Sequence, residues 1–215
     1  MLRNEKILCL VLFAAMIGLS IWGHFTLPDA PMAVHFGLDG EPNGYQPRDM
    51  ALFVLPLLTL VILVLCLWAL PALLQKHRSI ERSQLAYGAV MLSVTSMLTI
   101  VHAVIILRAA GADMDVTKIT TVATGLIFVI MGNYLPKTRI NGLLGVRTVW
   151  TLADERVWDR THRFAGPVFM LAGGLVVLAA LALPVRMAMI VLLSAIAVAA
   201  LLSYGYSYLV ARRLR

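Results

Sequence analysis

The chain has 215 residues, 60% of them hydrophobic and only 13% charged, with a mean hydropathy of +0.87. A soluble domain is about a quarter charged, so this composition excludes an ordinary soluble fold and points to an integral membrane protein. The net charge of +7 is spread over short segments between apolar runs, as basic residues are beside a bilayer, and with no soluble basic domain to carry it direct nucleic-acid binding is excluded.

A helix needs about 20 apolar residues to cross the hydrocarbon core. Six stretches meet or approach that length: 7–25, 51–74, 85–107, 119–135, 164–183 and 187–210. The fourth is the shortest. The last two are joined only by Pro184, Val185 and Arg186, which predicts a tight antiparallel pair of helices. Arg3 and Lys6 precede the first run as in a signal peptide, but the run is long and no small-x-small cleavage site precedes Pro28. A retained anchor is expected. The predicted fold class is therefore an all-α integral membrane protein with six transmembrane helices.

Orientation follows from the basic residues. With both termini cytoplasmic, fourteen of the eighteen lysines and arginines fall inside, and only Arg48, Arg108, Lys118 and Arg186 fall outside. This bias places residues 26–50 outside and residues 136–163 in the cytoplasm. The expected organisation is an N-terminal two-span unit over 1–75 and a four-span unit over 76–215, folded as one membrane domain.

The outer segment carries Pro28, Pro31, Pro42 and Pro47 with Gly37, Gly40 and Gly44. Asp39-Gly40 and Asn43-Gly44 are strong turn pairs, so successive turns are predicted rather than strands or helices. Its acids, Asp29, Asp39, Glu41 and Asp49, face a single Arg48, which suits a cationic extracellular peptide. His24 and His35 are predicted near the outer face, and His102 toward the outer end of the third span. Three imidazoles with a carboxylate suit zinc, but no HExxH or HxH spacing is present, and neither metal nor cofactor is assigned. Cys9 and Cys66 lie in apolar runs without CxxC spacing and read as packing residues.

Residues 132–166 form the densest polar segment, with nine charged residues and two tryptophans between apolar runs. Asn133 and Tyr134 sit at the inner end of the fourth span, where polar groups bond to neighbouring helices, and Pro136 ends that span. Asn141-Gly142 and Gly145 supply turns. Thr151 followed by Asp154 predicts the capped start of a helix of about three turns. On it Asp159 stands four residues before Arg163 and three after Arg156, at pairing distances. Trp150 and Trp158 fit the headgroup level, so this helix is predicted to be interfacial, ahead of the fifth span. Arg156, Arg160 and Arg163 suit lipid phosphates. Arg147, flanked by Gly145, Val146, Thr148 and Val149, lies in an uncharged patch and needs a fixed partner, a phosphate or a carboxylate.

Two resemblances emerge from these segments. Leu27-Pro28-Asp29, Pro31, His35-Phe36, Gly40 and Asn43-Gly44-Tyr45 resemble a small bacterial membrane domain of unknown function. Gly132-Asn133-Tyr134-Leu135-Pro136-Lys137, Asn141, Gly145-Val146-Arg147-Thr148, Trp150-Thr151-Leu152, Trp158, Thr161-His162-Arg163 and Gly166 resemble the signature of the Sdp immunity (SdpI) family, in which that domain commonly stands first. The resemblance implies a multi-pass protein of the bacterial inner membrane that protects the cell from a secreted peptide toxin. In the best-known type it implies signalling as well, through a transcriptional repressor held at the membrane. It makes Pro28, Asp29, His35 and Gly40 candidate functional residues outside. Inside, the candidates are Asn133, Tyr134, Asn141, Gly145, Arg147, Thr148, Trp150, Thr151, Trp158 and His162. One departure is Val149, where the family often has proline.

No nucleophile elbow, P-loop or dinucleotide glycine pattern occurs, so no enzymatic activity is expected. The apolar spans hold no Asp or Glu, which disfavours a proton-coupled carrier. The alternatives to immunity are a small-molecule or ion transporter, and an envelope homeostasis protein without a toxin partner. The expected partners are the lipid bilayer, a peptide toxin and a cytoplasmic repressor.

Overall fold

The computed structural model describes residues 3–69, 83–141 and 143–214. Its elements are α1 (Arg3–Thr26), β1 (Met32–Phe36), β2 (Pro42–Gln46), α2 (Arg48–Val64), α3 (Gln84–Ala109), α4 (Val116–Tyr134), α5 (Val149–Ala153), α6 (Glu155–Ala182) and α7 (Val185–Arg213). A π-helical turn, Leu65–Ala69, extends α2, and a 3₁₀ turn, Leu135–Lys137, ends α4. Six helices are long and apolar enough to cross a membrane, matching the six predicted spans. The end of the second span at 70–74, the 75/76 unit boundary, and Lys76, Arg78 and Arg82 lie outside the described residues.

The outer segment departs from the prediction. β1 and β2 form an antiparallel hairpin, where only turns were expected from the prolines and glycines. Met32, buried, and Val34, partly buried, pack on Leu27, Leu52, Ile105 and Ile106 at the helix tops, a period-two spacing that suits a strand. Pro42 is tolerated because it opens β2, and register shifts around His35 absorb the misfit. Gly40, at φ +86, makes the turn, and its backbone faces Val185 at the start of α7. The hairpin and the α6–α7 connection therefore share one end of the bundle.

The fifth span is also longer than predicted. The helix expected to lie on the interface is the first part of α6, continuous with the span from Glu155 onward. The short helix ahead of it is α5, with five residues.

Packing is closest between α4 and α6. A Cβ on Gly132 would lie 2.6 Å from the Gly166 carbonyl oxygen, and one on Gly125 would lie 2.8 Å from that of Gly173. Glycine at these crossings lets the two backbones approach, the usual source of helix association in lipid. α7 packs along α6, with Ala179, Ala180 and Ala188 at the contact. α3 touches both α1 and α4. Ser20 ties three helices together: its Oγ lies 2.6 Å from the Leu52 carbonyl and 2.9 Å from His102 Nε2. Hydroxyls of Thr59, Thr95 and Thr121 donate to carbonyls four residues back, which satisfies them within their own helices.

Candidate functional site

The signature segment folds back onto the start of α6. After Pro136 ends α4, Asn141 organises the chain with both ends of its amide. Nδ2 donates to the carbonyls of Arg139 and Leu144, while Oδ1 accepts from the N–H groups of Leu143 and Leu144 at 2.8 and 2.7 Å. The turn delivers Gly145 at φ +122, a conformation that disfavours any side chain. A Cβ there would also press on His162 Nε2 and lie 3.0 Å from Trp158 Cη2.

Beneath Gly145, Trp158 and His162 are fully buried and stacked, with ring centroids 4.0 Å apart. The indole Nε1–H donates to the Thr138 carbonyl at 3.1 Å. His162 Nδ1 faces the Trp158 carbonyl at 2.8 Å, and the Val146 N–H donates to His162 Nε2 at 2.9 Å. A carbonyl only accepts and an amide N–H only donates, so the proton sits on Nδ1 and the imidazole is neutral. Two loop backbone groups are thereby bonded to two side chains of one helix.

A second clamp follows at once. The Thr151 N–H donates to Thr148 Oγ1 at 3.2 Å, and Thr151 Oγ1 accepts the Thr148 N–H at 2.9 Å and donates to the Val146 carbonyl at 2.7 Å. This is a capping box for α5, with Thr148 as its first member. Thr151 had been expected to open a box with Asp154; it closes one instead. Val149 is the first residue of α5 and 75% exposed. That is the position where proline is best accommodated, and the box supplies the constraint a proline would provide.

Asp154 caps α6, accepting the Arg156 N–H at 2.7 Å and its guanidinium at 2.9 Å. That guanidinium holds the Asp154 carboxyl below the usual carboxylate range. Asp159 pairs with Arg139, Nη1 standing 3.1 Å from both carboxylate oxygens. The predicted pairings within the helix are therefore replaced: Arg156 turns to Asp154, and Asp159 reaches across to the loop.

Six candidates thus converge: Asn141, Gly145, Thr148, Thr151, Trp158 and His162. The others do not. Trp150 stands apart against Tyr204 and Tyr208 of α7, at 5.5 and 5.2 Å between centroids. Trp158, expected among headgroups, is buried because its N–H has a carbonyl partner inside the protein. Tyr134 carries Lys137 Nζ 4.6 Å above its ring. Asn133 is exposed and makes no side-chain hydrogen bond among the described residues, contrary to the expected helix contact. Arg147 is exposed as well, and among the described residues it has no hydrogen-bond or ion-pair partner. The residues missed were Thr138 and Ser83, whose Oγ accepts the Arg139 N–H at 3.1 Å. Thr138 acts through its carbonyl, which no side-chain pattern signals.

At the opposite end of the bundle, Arg48 anchors the approach to the hairpin. It donates to the Leu27 carbonyl at 3.2 Å and stands 3.1 Å from Asp49 and 3.9 Å from the exposed Asp29. Pro28 lines a cleft of about 260 Å³. The histidines are dispersed: His24 meets Asp49, His35 meets Asn43 across the hairpin, and His102 meets Ser20. Among the described residues no three side chains form a metal-binding group.

Residues 137–207 match the SdpI/YfhL protein family, a range that holds the whole converging cluster but leaves out Asn133 and Tyr134. Residues 11–60 match the domain of unknown function DUF1648, which contains the hairpin. The chain is 25% identical over 133 residues to the immunity protein SdpI of Bacillus subtilis (strain 168), an alignment covering 62% of this chain and 61% of that protein. The chain thus spans less than two thirds of that relative's length. No solved structure matches. The molecule is a six-span bacterial membrane protein whose residues 137–207 match the SdpI/YfhL protein family, after a segment, residues 11–60, that matches DUF1648.

Proposed function

We propose that this protein confers resistance to a secreted antimicrobial peptide, acting by binding rather than by catalysis. In this reading both termini and the signature segment are cytoplasmic and the hairpin is outside. Fourteen of eighteen basic residues then lie on the inner side, as the positive-inside rule requires. The immunity relative in B. subtilis supports the role.

The observation that carries the mechanism is the division of labour in the signature. Its buried members bond to one another and to the backbone, whereas the Arg147 guanidinium is displayed from that rigid frame without a partner among the described residues. The frame braces the bundle, and Arg147 is the group available to a phosphate or carboxylate of a partner. Exposed Val149 and Leu152 beside it extend this into a surface on which a cytoplasmic repressor could be held. Signalling through it requires two conformations that differ in affinity for that repressor.

The test is survival of a sensitive bacterium expressing this chain and challenged with a secreted peptide toxin. Arg147→Ala, matched for membrane level, runs beside it. Protection by the wild type that is lost in the variant is the expected result. No protection by correctly inserted wild type overturns the immunity reading. Full protection by the variant removes Arg147 from the mechanism.

A further inference from the structure

The cleft beside the hairpin is an unassigned feature of the molecule with the shape of a binding site. Its walls include Pro28, Pro31, Pro42, Tyr45 and Ile105, with Arg108 at the side, and its volume is about 260 Å³. Three prolines fix the backbone angles of these walls, and Arg48 pins Leu27 and Asp29 at its edge. The cleft is therefore formed before anything enters it, which lowers the entropic cost of binding. Tyr45 is 60% exposed and presents a ring to an incoming group.

Charge identifies the visitor. The end of the bundle that holds the cleft carries Asp29, Asp39, Glu41, Asp49, Asp113 and Asp115 against Arg48, Arg108, Lys118 and Arg186. Six acids against four bases reverse the sign of the whole chain, which is +7. Two of those bases are engaged internally. Arg48 is paired as described, and Arg108 donates to the Met114 carbonyl at 2.8 Å while its guanidinium lies 5.3 Å from the centre of the Phe36 ring. The acids Asp29, Asp39, Glu41 and Asp49 are all exposed. An apolar, preformed cleft inside an acidic rim complements a cationic peptide that also carries large apolar side chains.

We propose that this cleft binds an apolar side chain of a cationic amphipathic peptide, whose lysines and arginines are met by Asp29, Asp39 and Glu41. This rests on the immunity reading above, and assigns to it the place where the peptide is engaged.

The experiment uses the full chain in phosphatidylcholine nanodiscs, with empty discs as reference. The probe is a fluorescein-labelled helical peptide of leucine and lysine, about five turns long. The wild type should bind it above the reference. Ala109→Trp fills the cleft from the exposed end of α3, and Ala30→Trp fills it from the other wall; each should weaken binding by about tenfold or more. Asp39→Lys with Glu41→Lys should weaken it by about tenfold at low salt, a difference that disappears on the order of 0.5 M salt. Size-exclusion profiles identical to wild type establish that each variant is folded. Binding no greater than to empty discs, or undiminished in both tryptophan variants, overturns the proposal. Binding lost in those variants yet indifferent to salt and charge reversal also overturns it, and indicates an uncharged apolar ligand such as a lipid chain. Cell survival separates the two readings. Peptide binding at the cleft with no protection by the wild type defeats immunity and leaves the cleft. Protection together with full binding by the filled variants does the reverse.

Discussion

The signature segment and the hairpin are polar insertions at opposite ends of one bundle, yet they are held by different physics. The signature is built from buried groups: an indole, an imidazole, two threonine hydroxyls and an asparagine amide, each bonded to backbone. The hairpin rests on the helix tops through Met32 and Val34, but its polar bonds lie at the surface, His24 with Asp49, His35 with Asn43 and Arg48 with the exposed Asp29, and its prolines restrict the chain without bonding. Buried hydrogen bonds are expensive to leave half-made, whereas exposed ion pairs contribute little. The first region should resist change and the second should tolerate it. The roles proposed for them, a brace and a recognition surface, need those opposite properties.

Substitutions can break or sharpen this contrast. The largest effect is expected for Trp158→Ala, which empties the centre of the signature and leaves the Thr138 carbonyl without its donor. A loss of about 3–5 kcal/mol is expected, read by equilibrium unfolding in mixed micelles. A loss below that of Arg48→Gln at the hairpin would refute the assignment of the signature as the brace. Next is Gly132→Leu, which forces α4 from α6 where the backbones touch, at about 1–3 kcal/mol; thermal unfolding should register it, and unchanged stability would show that the crossing is looser than the glycines imply. Thr151→Val keeps the shape but removes the hydroxyl's bonds to the Thr148 N–H and the Val146 carbonyl, at about 1–2 kcal/mol. Proteolysis after Gly145 would reveal it as local loosening before global unfolding.

Smaller changes are expected at the hairpin and at exposed pairs. Arg48→Gln should reduce stability by about 1 kcal/mol, because the Leu27 carbonyl retains water as an alternative partner. A larger loss would place the hairpin among the braced regions and erase the comparison. Asp154→Asn should produce no measurable shift, since both partners are in solvent and the asparagine still caps α6. The pH dependence has a definite sign. A carboxyl whose pKa is lowered on folding stabilises above its unfolded pKa, and that contribution is lost as pH falls through the lowered value. The Asp154 pair should thus be silent between neutral and mildly acid pH, and a difference between wild type and Asp154→Asn in that window would disprove the assignment.

Much of the molecule was legible in its sequence because lipid imposes one-dimensional constraints. Span length, the sign bias of the loops and the spacing of the signature are all readable along the chain, and six long apolar helices followed from them. The hairpin was not legible, since Pro and Gly density outweighed the weak alternation of Met32, Val34 and Phe36. The start of α6 was misplaced because Asp154 stands where the N3 residue of a box opened by Thr151 would be, while the box that forms begins at Thr148.

By itself, then, the sequence determined which residues cross the membrane, where charge accumulates and which family the polar segment resembles. Only the tertiary structure decided the partners. Asp159 had Arg163 and Arg156 within helical reach but took Arg139, because the fold brings that guanidinium to the helix from the loop. Trp158 had the amphipathic character of an interfacial residue but was buried, because a carbonyl twenty residues away could satisfy its N–H. Local spacing states which contacts are available; the choice among them depends on which groups the packed bundle removes from water and leaves in need of a partner.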